Sequence, residues 1–270
     1  EVVEKNQLEV LHVHYAIPHA YAAFMAKQML KEKGLDVKVV TTLHGTDITL
    51  VGSHPTYKSA VEFSINNSDV VTAVSNSLKE TTTKLFNITK EIKVIYNFID
   101  TQKYDKAHKE ECKRFALAKP HERIFTHVSN FRPVKRVEDV VRIFHEVRKE
   151  IPSKLLMIGE GPERAKAEKL VKELNISEDV FFLGNSTEVT KILCYTDIFL
   201  LPSQTESFGL AALEAMAAGT AVISTNTGGL PEVNIDGVTG YLSDLGDIQD
   251  MAKNALSILK EDKILATFKQ

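Results

Sequence analysis

Two carboxylates occur in the mostly apolar segment TESFGLAALEAMAAG, residues 205–219. Glu206 precedes the apolar run, and Glu214 lies inside it, in phase with Leu210 and Ala217 on the face that a helix here would bury. A buried charge is costly unless a partner compensates it. The pattern therefore indicates either a solvated face or a ligand that pairs with the carboxylates. Beside the phosphate-binding groups described next, Glu214 would suit sugar hydroxyls, for example the two of a ribose, and Glu206 those of a second sugar. The structural alternatives are an N-terminal cap at Glu206 and a partly exposed helix position at Glu214.

The same region offers groups that suit a phosphate. The loop SNFRPVKR, residues 129–136, places Arg132 and Lys135 between a predicted strand and a predicted helix. A guanidinium and an ammonium beside a helix N-terminus form a typical diphosphate site, and a solvated basic loop is the alternative. Backbone N–H groups at the start of the helix after Glu206 add donors for the same anion. These donors belong to Ser207, Phe208, Gly209 and Leu210.

Three histidines in HVHYAIPHA, residues 12–20, raise the question of a metal site. Their spacing matches no known zinc pattern, so we expect no metal. His12 and His14 fall on the same side of a predicted strand, where they line a cleft or pack in the core.

A further histidine ends the next predicted strand, in TTLHGTD, residues 41–47. Gly45 allows the backbone to turn sharply or to approach a ligand closely. We therefore expect His44 to contact a ligand. The alternative is a structural turn that Thr46 or Asp47 caps.

The elements that position these residues alternate between apolar strand-length runs and helical patterns. This alternation predicts α/β domains with parallel sheets covered by helices. The polar segment 100–121 separates two such units, which gives predicted parts at residues 1–98, a linker with an edge helix at 99–121, and residues 122–270. Predicted strands are 8–15, 38–45, 70–75, 92–99, 123–129, 154–159, 180–184, 197–203 and 220–225, and predicted helices are 18–32, 56–66, 76–86, 136–149, 162–174, 186–194, 209–218 and 247–260.

Two facing units of this kind leave a cleft, and ligands bind at the carboxyl ends of the strands. A Gly228–Gly229 turn is predicted beside this cleft, and GEGPE, residues 159–163, predicts a turn and a helix start. The first unit shows only about four strands, so we expect its front to be missing from the chain.

Composition narrows the class of protein. The 270 residues carry a formal net charge of −3, which gives no indication of a nucleic-acid partner. There is no apolar run long enough for a membrane-spanning helix and no signal-peptide pattern at the start. Cys112 and Cys194 lie far apart and are expected to stay reduced in the cytoplasm. Two-fold homodimers are the commonest soluble oligomers, which makes a homodimer the candidate assembly.

Taken together, the motifs resemble those of the retaining glycosyltransferases of family 4. ESFGLAALE carries that family's pair of glutamates separated by seven residues, and the other motifs follow in the family's order: VSNFRPVKR, GEGPER, FFLGN, DIFLLPS, EAMAAGTAVIST, GGLPE and GVTGYL. The resemblance implies the GT-B fold, with two Rossmann-like, doubly wound domains. The family also has an initial strand with a glycine-rich loop and a final crossing helix. This chain shows neither, so the piece itself is expected to be inactive or to be the ordered part of a longer chain.

The first unit resembles one branch of the family more closely, through LHVHYAIPHAYAAFMAK, TTLHGTDITLVG, VTAVSNSL and IYNFID. Members of that branch join N-acetylglucosamine to L-malate in bacillithiol biosynthesis. The resemblance implies UDP-N-acetylglucosamine as donor, L-malate as acceptor, and no metal or other cofactor. The alternatives are another family 4 acceptor, such as inositol phosphate or a glycan, and a nucleotide-sugar-binding module without turnover.

The same resemblance implies a role for each site residue. Arg132 and Lys135 would neutralise the departing UDP phosphates, and His44 would lie against the donor sugar near the reacting carbon. Glu206 would bind the donor sugar and Glu214 the uridine ribose. Residues expected near malate are His14, Tyr15, His44, Thr46 and Asn76.

Overall fold

The computed structural model describes residues 1–50, 52, 54–104, 114 and 117–268. The chain divides into two compact units, Glu1–Asn97 and Phe98–Gln270. Residues 105–113, 115 and 116 of the predicted linker and edge helix at 99–121, with Cys112 among them, lie outside the described residues. No helix in the described part of the chain is both long and apolar enough to cross a bilayer.

The first unit contains a four-stranded parallel sheet in the order β1-β2-β3-β4. Its described strands run in chain order, with no reversal. His14 pairs with Thr42, and Leu43 pairs with Ala73, so the carboxyl ends of the first three strands meet at one edge. The elements are α1 Val2–Asn6, β1 Val10–His14, a helical turn Ala16–Ala20, α2 Tyr21–Glu32, β2 Lys38–Leu43, a helical turn Thr46–Leu50, α3 Pro55–Asn66, β3 Val70–Ala73, α4 Asn76–Leu85 and β4 Ile92–Val94.

The second unit contains a six-stranded parallel sheet in the order β10-β9-β8-β5-β6-β7. The order reverses between β5 and β8, and in doubly wound sheets ligands bind at such a switch point. The elements are β5 Arg123–Val128, a 3₁₀ turn Pro133–Lys135, α5 Val137–Arg148, β6 Ser153–Ile158, α6 Arg164–Glu173, β7 Val180–Gly184, α7 Val189–Cys194, β8 Ile198–Leu201, α8 Leu210–Ala217, β9 Ala221–Thr225, α9 Leu230–Val233, β10 Gly240–Ser243, α10 Ile248–Lys260 and α11 Asp262–Phe268.

The central strands of the second unit are apolar on both faces because helices cover both. Phe125 and Leu155 pack into one core cluster, with residues of α5, α6 and α10. Ile124 and Leu156 point to the opposite face, beside residues of α7. Each such side chain contributes about 1.5–3 kcal/mol through burial. The continuous apolar runs thus predict buried parallel strands correctly.

Several boundaries differ from the sequence-based expectation. The strand predicted at 92–99 ends at Val94, because pairing with β3 stops near that point. Strand β10 is absent from the sequence-based assignment, since Gly240 and Tyr241 give no clear alternation of apolar and polar residues. A Cβ at Gly240 would lie 1.8 Å from the Val222 carbonyl oxygen, so the close approach of the two strands depends on the glycine. The short helices α1, α9 and α11 are absent from that assignment as well.

Candidate functional site

The basic loop that follows β5 is held from within its own unit. We call residues 129–136 the cation loop. Phe131 is fully buried and has a φ of 39°, so it anchors the loop in an uncommon backbone conformation. The Arg132 guanidinium is exposed and makes no hydrogen bond or ion pair with the described residues. The loop thus presents one cation that is available to a ligand.

Two glycines support the cation loop from behind. A Cβ on Gly159 would lie 1.8 Å from the carbonyl oxygen of Ser129, and one on Gly161 would lie 2.0 Å from that of Asn130. Backbone therefore packs directly on backbone, which only glycine allows. The GEGPE turn therefore supports the backbone of the cation loop, a role that its sequence alone indicates only weakly.

The segment after β8 approaches the cation loop. We call residues 202–209 the carboxylate loop. Glu206 Oε1 accepts hydrogen bonds from Lys135 Nζ at 2.5 Å and from Ser203 Oγ at 2.9 Å. The Lys135 and Glu206 side chains are 21% and 14% exposed, so the ion pair is largely withdrawn from water. The backbone N–H of Gln204 also donates to the Val134 carbonyl at 2.8 Å, which joins the two loops a second time.

This pairing adds to the sequence-based expectation. The sequence assigns the two charges to different parts of a ligand, phosphate for Lys135 and sugar for Glu206, and the structure brings them into direct contact. Ser203 is not among the predicted residues, although a polar residue at the end of an apolar strand is a usable signal. Lysine has three N–H donors, so it can keep Glu206 and still donate to a phosphate.

The predicted Gly228–Gly229 turn packs beneath the carboxylate loop. A Cβ on Gly228 would lie 2.1 Å from the Glu206 carbonyl oxygen, and one on Gly229 would lie 2.5 Å from that of Ser207. The N–H of Gly229 donates to the Glu206 carbonyl at 2.8 Å. The Gly228–Gly229 turn therefore fixes the backbone position of Glu206.

Helix α8 begins at Leu210, with Gly209 as its N-cap at a φ of 100°. Within the described residues, the N–H groups of Gly209, Leu210 and Ala211 have no backbone acceptor. Phe208 is buried and Ser207 is partly buried. This helix start carries the donors expected at an anion site.

Glu214 is half-buried on α8, and its carboxylate makes no hydrogen bond or ion pair with any described residue. Burial raises the pKa of its carboxyl group. Its charge acts on Tyr104, whose pKa rises to about 12 through burial and the nearby Glu214. Leu210, on the same helix face, is 42% exposed, because the first turn of the helix meets solvent. The carboxylate is placed to accept donors from outside the chain.

In the first unit, histidines gather at the carboxyl ends of the strands. His14 Nδ1 lies 2.8 Å from His44 Nε2, and the Tyr15 ring centroid lies 5.2 Å from that of His44. His12 Nε2 lies 2.8 Å from the Thr42 hydroxyl. Both His12 and His14 are exposed, so they do not pack in the core. Burial and the neighbouring His14 lower the pKa of His44, which favours its neutral form.

Of the remaining polar residues singled out in this unit, some make structural hydrogen bonds and one is exposed on the surface. Asp47 caps the turn: its carboxylate accepts from the N–H groups of Ala16 at 2.8 Å and Gly45 at 2.9 Å. Thr46 is exposed. Asn76 opens α4 and donates to the Tyr96 hydroxyl at 2.8 Å. His14, Tyr15 and His44 thus form one cluster.

Comparisons with known proteins identify the family. Residues 1–103 match the model described as Glycosyltransferase Family 4, and residues 109–270 match the model described as Glycosyl transferases group 1. A relative from Bacillus anthracis, named N-acetyl-alpha-D-glucosaminyl L-malate synthase, is 47% identical over 98% of this chain and 68% of its own length. The chain belongs to glycosyltransferase family 4.

Other members extend the comparison. A Methanocaldococcus jannaschii protein named as an uncharacterized glycosyltransferase is 27% identical over 98% of this chain and 70% of its own. HepE from Anabaena, solved in complex with UDP, aligns with a TM-score of 0.84 at 19% identity, covering 99% of this chain and 74% of that one. The predicted GT-B fold class of a family 4 enzyme is thereby confirmed.

Among the described residues of this family 4 chain, no group of three or more histidine, cysteine, aspartate or glutamate side chains could hold a metal ion. The sequence-based expectation of a metal-free reaction stays a prediction.

We expect Asp47→Ala to destabilise the first unit by about 3 kcal/mol or more, because the buried N–H groups of Ala16 and Gly45 would lose a charged acceptor. Denaturant-dependent hydrogen exchange of first-unit peptides measures the change. The control is Asp36→Ala, whose 70% exposed side chain pairs with Lys38 in solvent, so we expect little change in stability. Equal losses in the two variants would contradict the capping role.

We expect Glu214→Gln to raise the melting temperature of the ligand-free protein at neutral pH. Because burial raises the pKa of Glu214, its ionised form costs stability. The cost is full above the folded-state pKa and disappears below the unfolded-state pKa, so the gain should shrink in thermal scans at acid pH. Glu173→Gln, at an exposed position on α6, is the control and should change little. A gain that persists unchanged in acid would refute the assignment to Glu214 ionisation.

Proposed function

We propose that this chain carries the site of a retaining glycosyltransferase that moves N-acetylglucosamine from UDP-N-acetylglucosamine to L-malate, a step of bacillithiol biosynthesis. The observation that carries the proposal is 47% identity over nearly the whole chain to the Bacillus anthracis protein named for that product. The charges around the switch point of the second unit support it independently, since they suit a nucleotide sugar.

The donor half of the proposal follows from the charges of the cation loop and the start of α8. Breaking the bond between the sugar and the diphosphate leaves negative charge on the leaving group. Arg132 and Lys135, with the N–H groups at the start of α8, would stabilise this charge more in the transition state than in the ground state. With two cations and a helix N-terminus available, the reaction is proposed to need no metal.

The two glutamates would bind the neutral parts of the donor. Glu206 is oriented by Lys135 and Ser203 through one oxygen, Oε1. Its Oε2 can then accept from donor-sugar hydroxyls. Glu214 has a half-buried carboxylate with no described partner, and vicinal ribose hydroxyls would supply two donors to it.

The acceptor is proposed to bind the first unit. L-malate carries two carboxylates, so its site needs N–H donors or cations. The cluster of His14, Tyr15 and His44 offers such donors, and Thr46 and Asn76 are the further candidates. Retention would follow from attack by the malate hydroxyl on the face that the diphosphate leaves. The bond from the anomeric carbon to phosphate oxygen breaks, the bond to malate oxygen forms, and the hydroxyl proton passes to a phosphate oxygen.

The test is product formation from UDP-N-acetylglucosamine and L-malate, with the anomeric configuration determined by NMR. It is run with this chain and with a form extended to the length of the Bacillus anthracis relative. We expect α-linked glucosaminyl malate from the extended form. Turnover with another acceptor in a panel of hydroxy acids, inositol phosphate and glycans would replace the acceptor assignment. UDP binding without any turnover would leave a nucleotide-sugar-binding module.

A further inference from the structure

A buried histidine lies in the strand that leads into the cation loop. His127, on β5, is fully buried. Its Nδ1 lies 2.8 Å from the Leu200 carbonyl oxygen on β8, and its Nε2 lies 2.8 Å from Ser129 Oγ. A carbonyl oxygen only accepts hydrogen bonds. Therefore Nδ1 carries the proton and donates to Leu200, and Nε2 accepts from the Ser129 hydroxyl.

Ser129 carries the connection into the loop. Because its hydroxyl proton is donated to His127, its oxygen accepts from the N–H of Phe131, at 3.2 Å. The positive φ of Phe131 is one that a bulky residue adopts only when its surroundings hold it there. Three successive hydrogen bonds thus run from β8 to the backbone just before Arg132.

The imidazole of His127 adds two hydrogen bonds that packing of the core alone does not require. Phe125, which points to the same face of β5, fills its space without hydrogen bonds. A buried polar side chain is costly unless it is satisfied, and here both ring nitrogens are. Burial and the nearby charge of Lys135 lower the pKa of His127 to about 4, so the neutral ring persists near neutral pH.

We propose that His127 and Ser129 are positioning residues for the binding of a nucleoside diphosphate. They hold the cation loop in place at the switch point, so that Arg132 and Lys135 meet the phosphates without rearrangement. The inference rests on the proposed function, because it takes the diphosphate of the donor as its ligand. A preorganised loop binds the anion more tightly, since it loses less freedom on binding.

The first test is Ser129→Ala in the extended form of the protein, with UDP binding measured by calorimetry. The variant leaves His127 Nε2 and the Phe131 N–H without their partner, and we expect UDP affinity to fall about tenfold. The matched control is Thr126→Val, which removes a buried hydroxyl of the same strand that pairs with Thr196 at 2.7 Å, outside this connection. The control should lower thermal stability and leave UDP affinity unchanged. An equal loss of affinity in both variants would overturn the proposal.

A second test uses the unmodified protein and does not depend on a variant that folds. The ring ¹⁵N shifts of His127 should show a protonated Nδ1 and an unprotonated, hydrogen-bonded Nε2 in both the free and the UDP-bound protein. A protonated Nε2, or a ring that changes tautomer when UDP binds, would overturn the proposal. If the protein binds UDP but makes no glucosaminyl malate, the proposed function fails, while this inference is still decided by UDP affinity.

Discussion

Replacing Lys135 by methionine should lower kcat by about a hundredfold to a thousandfold, the range seen when one preorganised donor to a developing charge is removed. Lys135 is the cation that touches Glu206, so the variant loses a phosphate donor and also leaves a largely buried carboxylate without its counter-charge. The measurement is steady-state turnover with the extended form, together with UDP affinity by calorimetry.

Two further variants separate these losses. The double variant Lys135→Met/Glu206→Gln removes the uncompensated charge, and it should recover thermal stability but not kcat. Lys149→Met changes a 53% exposed lysine that pairs with Glu146, and it should behave like the unmodified protein. If Lys135→Met keeps kcat within about threefold of the unmodified value, Lys135 does not stabilise the charge on the leaving diphosphate.

Gly228→Ala should lower kcat/KM by about a hundredfold, the size of effect expected when a catalytic group moves by about 1 Å. The new Cβ would lie 2.1 Å from the Glu206 carbonyl oxygen, so the backbone of the carboxylate loop must shift. Glu206 would then lose its alignment with Lys135 and Ser203. The measurement is steady-state kinetics beside a thermal scan.

Gly237→Ala is the matched control for that prediction. Gly237 also has a positive φ, 71° compared with 57° at Gly228, but its added Cβ would meet no atom within 4 Å. Both variants carry the backbone strain of about 1–2 kcal/mol, and only one carries the clash. A comparable loss of kcat/KM in both variants would show that backbone strain, and not the displacement of Glu206, causes the effect.

The elements around the site are largely predictable because their signals are local. The apolar strand of β5 ends at Val128, and the polar loop after it is visible in the sequence. Likewise, Glu214 stands out because a carboxylate inside an apolar run needs an explanation. Family resemblance then assigns roles that neither periodicity nor spacing can supply.

What escapes prediction depends on contacts between distant segments. His127 looks like one more core position of an apolar strand, and its two hydrogen bonds become visible only once β8 lies beside β5. The pairing of Lys135 with Glu206 has the same cause. Strand β10 and the short helices escape because a few residues carry too weak a pattern.

The switch point that brings β5 beside β8 also constrains when the site can appear during synthesis. Lys135 and Glu206 are separated by 71 positions in the chain, and the Gly228–Gly229 turn beneath Glu206 comes later still. Contacts of such high sequence separation require a long loop to close before they stabilise anything. A ribosome-bound chain should therefore acquire affinity for UDP only after β9 and this turn have emerged. Nucleotide binding would then report that β9 and the Gly228–Gly229 turn have taken their places in the second unit, before the edge strand β10 is added.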